Sequence, residues 1–124
     1  MRIHRVLAVL LAVASAMAAA EDRRYDSKAL ARYDVSYVSC EAKFPEMKGH
    51  RDDAYMSLWR MTPGTKTTAR LAEVRNSATY KTEQRLATRQ AASASDPAAA
   101  AQTLERQCKG LWGEMQKNTT TAKR

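Results

Sequence analysis

The sequence predicts a small all-α protein: a bundle of about four helices whose first and last members are joined by a disulfide, Cys40 to Cys108. Three observations predict it. Leu30, Tyr33, Tyr37, Cys40 and Phe44 recur at alternating steps of three and four, the spacing of one apolar helix face. Ala101, Leu104, Cys108, Leu111 and Met115 repeat that spacing near the other end, so each cysteine sits in the middle of an inward stripe. No stretch alternates apolar and polar residues long enough to read as a strand, and there is no internal repeat.

Residues 1–20 read as a secretory signal peptide. Arg2 and Arg5 form the positive n-region and Val6 to Ala14 (VLAVLLAVA) the apolar h-region. Ala16-Met17-Ala18 or Ala18-Ala19-Ala20 supplies the small-x-small cleavage site. An uncleaved anchor is the competing reading, but the apolar run falls well short of the roughly 20 residues a spanning helix needs. No cysteine follows the h-region, so lipoprotein processing is not expected, and no second apolar run follows. The expected product is a soluble periplasmic or secreted chain, with the alanine and arginine richness of a bacterial protein.

Removing the leader lowers the formal charge of +8 by two arginines, leaving a basic domain. From Glu21 onward the chain holds ten Leu, Val and Phe residues and no Ile, a lean supply of core material. Tyrosine, tryptophan, methionine and cysteine must make up the apolar bulk. An oxidising destination lets the two cysteines pair. Closing a loop of 68 residues would stabilise the fold by about 4 kcal/mol in the chain-entropy model, comparable to the net stability of a small domain. Two buried free thiols are the alternative. A redox or catalytic role is not expected, since there is no Cys-x-x-Cys and no basic cluster beside either thiol.

Taken in order, residues 21–26 (EDRRYD) form a flexible polar lead-in, and residues 27–117 the single helical domain. Ser27 is the expected N-cap of the first helix, with Tyr25 left as the exposed aromatic. Val35 and Val38 point away from the first helix's main stripe, toward a third helix or a docking surface. Pro45 ends that helix after Phe44, and Gly49 is the tight point of the connection that follows. Asp52 or Asp53 caps a short second helix running to Met61, with Tyr55, Leu58 and Trp59 inward. Thr62-Pro63-Gly64-Thr65 suits a type II turn. Residues 65–92 contain no proline or glycine, but their amphipathicity is poor beyond Leu71, Val74 and Ala78. The sequence leaves open one long helix or a break near Asn76-Ser77. Asp96-Pro97 then starts the last helix, with a capping aspartate and proline at its first position. Gly110 and Gly113 lie on its outer side, and residues 118–124 form a solvated, flexible tail.

The chemistry the chain lacks bounds its function. After the leader the sole histidine is His50. It has Asp52 and Asp53 nearby but no nucleophile in a recognisable setting, so a loop histidine is expected and no catalytic residue is assigned. Zinc-type spacings, the calcium-loop pattern and the haem attachment motif are all missing, so no metal or cofactor is expected. Asp52 and Asp53 are explained by the dipole at a helix start. Trp59 and Trp112 fall in inward arcs and read as core. Asn118-Thr119-Thr120 fits the glycosylation sequon, which carries little weight in such a chain.

What remains is a basic set, Lys66, Arg70, Lys81, Arg85 and Arg89, with Glu73 and Glu83 the acids between. Its plain reading is a solvated charged face. Following a short helix and the Thr62-Pro63-Gly64 turn, it also has the look of a helix-turn-helix whose second helix would enter a DNA groove. Export argues against nucleic acid as partner. The expectation is therefore a non-enzymatic binding protein of the envelope, of the inhibitor, immunity or chaperone-like kind. Its basic face would meet an acidic protein or an envelope polyanion. The alternatives are an assembly accessory that self-associates or docks through Val35 and Val38, and a nucleic-acid binder if the leader is not a signal. The oligomeric state is not legible from the residues.

Overall fold

A computed structural model describes residues 23–122, with side chains described for residues 23–118, so the signal-peptide reading falls on residues outside that range. Among the described residues there are five α-helices and no strand: α1 Ser27–Lys43, α2 Arg51–Leu58, α3 Thr65–Arg75, α4 Ala78–Ala92 and α5 Pro97–Ala122. Single 3-10 turns precede α1 (Arg23–Tyr25) and α2 (Pro45–Met47). The all-α class is as the residue spacing predicts. The count rises from about four to five because the segment 65–92 breaks at Asn76-Ser77. There Ser77 adopts an extended conformation and its hydroxyl accepts from the Tyr80 amide, capping a new helix.

Helix α1 is the spine. α4 packs along it, α5 packs on α2 and α1, and α3 meets α1, α4 and the turn at Arg23–Tyr25. Two core clusters divide its length. Leu30 and Ala31 pack with Tyr55, Met56, Met61, Leu71 and Tyr80. Further along, Tyr37 and Cys40 pack with Met47, Ala54 and Cys108, and with Leu104, Leu111, Trp112 and Met115 at the margin. Tyr33 touches both clusters. The last helix thus contributes to one cluster, and the Cys40–Cys108 disulfide lies within it, the Cα atoms 5.6 Å apart.

Four tyrosines do the work of both apolar and polar residues. The hydroxyl of Tyr33 donates to the Arg51 carbonyl (2.8 Å), Tyr37 to Met47 (2.6 Å) and Tyr55 to Arg24 (2.6 Å), while Tyr80 donates to the Asp34 carboxylate. Each ring fills core volume, and each hydroxyl satisfies an acceptor on another element. This is how a chain poor in Leu, Ile and Val closes its interior.

Several boundaries differ from those the sequence suggests. The N-cap of α1 is Asp26, not Ser27: its carboxylate accepts from the Ala29 amide at 2.9 Å, and an acid there also complements the helix dipole. Tyr25 is half-buried rather than exposed, with the Arg70 guanidinium 3.9 Å above its ring. The Arg23–Tyr25 turn is held by the Tyr55 hydroxyl. His50, not an aspartate, occupies the N-cap of α2, leaving Asp52 and Asp53 in the first turn. That helix stops at Leu58. It buries Ala54, Tyr55 and Met56, which leaves Leu58 52 % exposed. Thr62 to Thr65 do not form a type II turn, because Gly64 is almost fully extended (φ 159°, ψ 172°) and serves as the N-cap of α3. Gly49, by contrast, takes the left-handed conformation (φ 84°) that a tight point requires. In α5 the Asp96 cap is present, its carboxylate accepting from the Ala99 amide at 3.1 Å. Ala101 is exposed, like the whole of residues 97–103. The helix also runs through Ala122, so the residues expected as a tail from Asn118 are helical that far, and Asn118 donates to the Ser57 hydroxyl at 2.6 Å.

Candidate functional site

The five basic residues singled out in the sequence are all exposed, but the break at Asn76-Ser77 divides them between two helices. Lys66 and Arg70 stand on α3, and Arg70 is drawn onto Tyr25. Lys81, Arg85 and Arg89 stand on α4 at intervals of four, which places them in one row along that helix. Among the described residues Lys66, Lys81, Arg85 and Arg89 have no ion pair; Arg85 reaches the Thr82 hydroxyl at 3.5 Å. The neighbouring Glu83 is taken by Arg32, at 2.8 Å. Arg75 ends α3 and points inward, so as a continuous recognition helix the segment is both too short and partly committed to the core.

That inward arginine organises a concentrated electrostatic site among the described residues. Asp34, on α1, is 1 % exposed, and a carboxylate so deep is costly unless it is paired and hydrogen-bonded. Arg75 supplies a fork: Nε donates to Oδ2 at 2.8 Å and Nη2 to Oδ1 at 3.1 Å. Nη2 also donates to Asp52 on α2, at 2.7 Å. Tyr80, on α4, completes the carboxylate's bonding, and Arg51 lies 3.7 Å away at the outer edge. Four helices thus converge on one carboxylate. Among the described residues no buried side-chain polar atom lacks a partner. Burial alone would lower the Arg75 pKa, but the hydrogen bonds and charges of Asp34 and Asp52 outweigh it and hold the guanidinium above its ordinary range. Burial, then the bond to Asp34, pushes the Tyr80 hydroxyl up to about 12. With every partner committed inside the protein, the arrangement is a structural tie.

The sequence reading missed this site, although a signal existed. Asp34 lies one helical turn beyond Leu30, at the flank of the apolar arc, and Arg75 one turn beyond Leu71, at the flank of its own. An acid and a base, each bordering an inward stripe, need one another.

His50 lies at the surface as expected, its ring edge-on to Trp112 (5.5 Å between centroids) and its Nδ1 3.6 Å from Asp53. It borders a groove of about 680 Å³ between the α2 end of the molecule and the C-terminal part of α5, walled by Met56, Met61, Pro63 and Met115. Arg60, also on this groove, is the one described non-glycine residue in the left-handed region, with φ 52°. It closes α2 by the two bonds of a Schellman motif. Its own amide donates to Ser57 O at 3.2 Å, and the next amide, of Met61, donates to Met56 O at 2.8 Å. Glycine is the usual residue at that position. An arginine there costs roughly 1–2 kcal/mol, of which a cation beside a helix C-terminus recovers about 0.3–1 kcal/mol.

No group of three or more His, Cys, Asp or Glu among the described residues could hold a metal ion, and no described helix is long and apolar enough to cross a membrane. Compared with known protein families, with curated proteins and with solved structures, the chain finds no match.

Proposed function

We propose that this chain is an exported, non-enzymatic binding protein of the cell envelope, of the inhibitor, immunity or chaperone-like kind. It meets an acidic protein or envelope polyanion through its basic helical face. The observation that carries the reading is the row Lys81, Arg85 and Arg89, exposed on α4 and, among the described residues, without an acid to neutralise it. Lys66 and Arg70 on α3 extend the basic set. A net positive charge draws acidic partners at long range, and it does so without any catalytic constellation. A disulfide in the core and a leader-like first twenty residues both favour an oxidising compartment.

The test is charge reversal. Lys81→Glu, Arg85→Glu and Arg89→Glu combined should leave the melting temperature unchanged, because all three side chains are exposed. They should abolish recovery of the partner from an envelope extract, and the wild-type interaction should weaken as salt is raised. A partner retained equally by the triple variant would end the proposal.

A second reading rests on Val38, which is 56 % exposed on α1 beside the half-buried Val35. Val35 and Val38 border a shallow groove between α1 and α4 with Gln84, Thr88 and Ala91. An assembly accessory that self-associates through this edge would turn monomeric on Val38→Asp, as read by sedimentation. A nucleic-acid role stays the least favoured: α3 as a recognition helix would present Lys66 and Arg70, with Arg75 turned inward.

A further inference from the structure

We infer that the methionine-walled groove at the end of α2 binds an amphiphile: a flexible unbranched apolar chain ending in a carboxylate, with the carboxylate on Arg60. The volume, about 680 Å³, falls in the range of small-molecule sites, and the walls are chiefly apolar. Three of its wall residues, Met56, Met61 and Met115, are unbranched and polarisable, so they adapt to a chain-like ligand better than branched side chains would.

The polar rim decides the charge of the ligand. Asp53 stands 3.6 Å from His50, an ion pair only while the imidazole is protonated, and Asn118 is bonded to Ser57 at 2.6 Å, which leaves Arg60 as the rim's one permanent cation. Arg60 has no side-chain partner among the described residues, yet it occupies a left-handed position that glycine would fill without strain. A strained residue whose side chain has nothing inside the protein to bind points outward to a ligand. A guanidinium matches a carboxylate by two parallel hydrogen bonds, which sets the head group. This site is separate from the basic row on α4, and the inference does not depend on that row.

The probe is dodecanoate, titrated calorimetrically below its micellar concentration into the disulfide-bonded protein. Dodecyltrimethylammonium serves as the same chain with the opposite charge. Dodecanoate should bind saturably at one site, and the ammonium compound at least tenfold more weakly. Arg60→Gly keeps the left-handed backbone while removing the guanidinium, so it should fold at least as well as the parent and bind dodecanoate at least fivefold more weakly. The Lys81, Arg85, Arg89 triple reversal should bind it as the parent does, which separates this site from the partner-binding face. Three results would each overturn the inference: no saturable binding of dodecanoate, less than a fivefold loss in Arg60→Gly, or less than a tenfold preference over the ammonium compound.

Discussion

Asp34 shows how a single residue can hold four helices in register. Its carboxylate is buried, and its bonds come from Arg75 on α3 and Tyr80 on α4, while Arg75 in turn reaches Asp52 on α2. Removing Arg75 leaves the buried Asp34 carboxylate only the Tyr80 hydroxyl and the more distant Arg51, whereas removing Asp34 leaves Arg75 still paired with Asp52. Stripping a buried charge of its main partner costs about 3–5 kcal/mol, so Arg75→Ala should lower stability by about that much in urea denaturation and Asp34→Ala by less. The double variant should lose far less than the two losses added, because no orphaned carboxylate then remains at Asp34. Asp52→Ala should be milder, since Arg75 keeps its fork on Asp34. A loss below about 1 kcal/mol on removing Arg75 would show that the pair contributes little net stability. At Arg60 the sign is opposite. Glycine relieves the left-handed strain, and Arg60→Gly should raise stability by about 1 kcal/mol.

Among the elements, the long helices were legible, together with the Phe44-Pro45 stop of α1 and the Asp96 cap of α5. The Asp26 cap of α1 and the extension of α5 through Ala122 were not. The stripes through Cys40 and Cys108 identify α1 and α5 because each repeats over several turns with its apolar residues in one arc. The weak stretch 65–92 has no such stripe, and for a physical reason. α3 buries Leu71 and half-buries Val74, α4 buries Tyr80, and the inward places at Arg75 and Glu83 are polar. Ion pairing to Asp34 and Arg32 replaces apolar contact there, so periodicity cannot reveal the break. The short α2 misled for a similar reason: its inward residues Ala54, Tyr55 and Met56 are consecutive, as suits a helix packed between α1 and α5. The basic residues are exposed, but their division between two helices depends on Ser77 acting as a cap, a role that serine shares with many surface positions. In α5 the two glycines weaken a helix that otherwise runs for 26 residues. A Cβ at Gly110 or Gly113 would meet nothing within 4 Å. Gly110→Ala and Gly113→Ala should therefore each stabilise by about 0.5–1 kcal/mol, read as a rise in the urea midpoint.

Taken whole, the molecule rests on tyrosine hydroxyls and one covalent link more than on aliphatic packing. Burial first, and then nearby tyrosine or acid groups, raises the pKa of Tyr33, Tyr37, Tyr55 and Tyr80, the last three to about 12. The unfolded chain ionises its tyrosines near 10, so the protonated folded state is favoured fully below that pH, and the advantage disappears as pH rises through the folded values. A tyrosinate also cannot donate the hydrogen bond that each of these hydroxyls makes. Alkaline titration followed by tyrosinate absorbance should accordingly show these four ionising late and together, coincident with loss of helical circular dichroism. Ionisation near 10 with the helices intact would contradict this arrangement.

The covalent link has the largest reach. α5 enters a single core cluster, its residues 97–103 stand exposed, and Cys108 fastens it to the spine at Cys40. The decisive measurement is equilibrium urea unfolding with the disulfide intact and with it reduced. The predicted result is a loss of about 4 kcal/mol on reduction, within a range of roughly 2–5 kcal/mol, with the amides of α5 losing protection from exchange first. Coincident unfolding curves for the oxidised and reduced protein would contradict it.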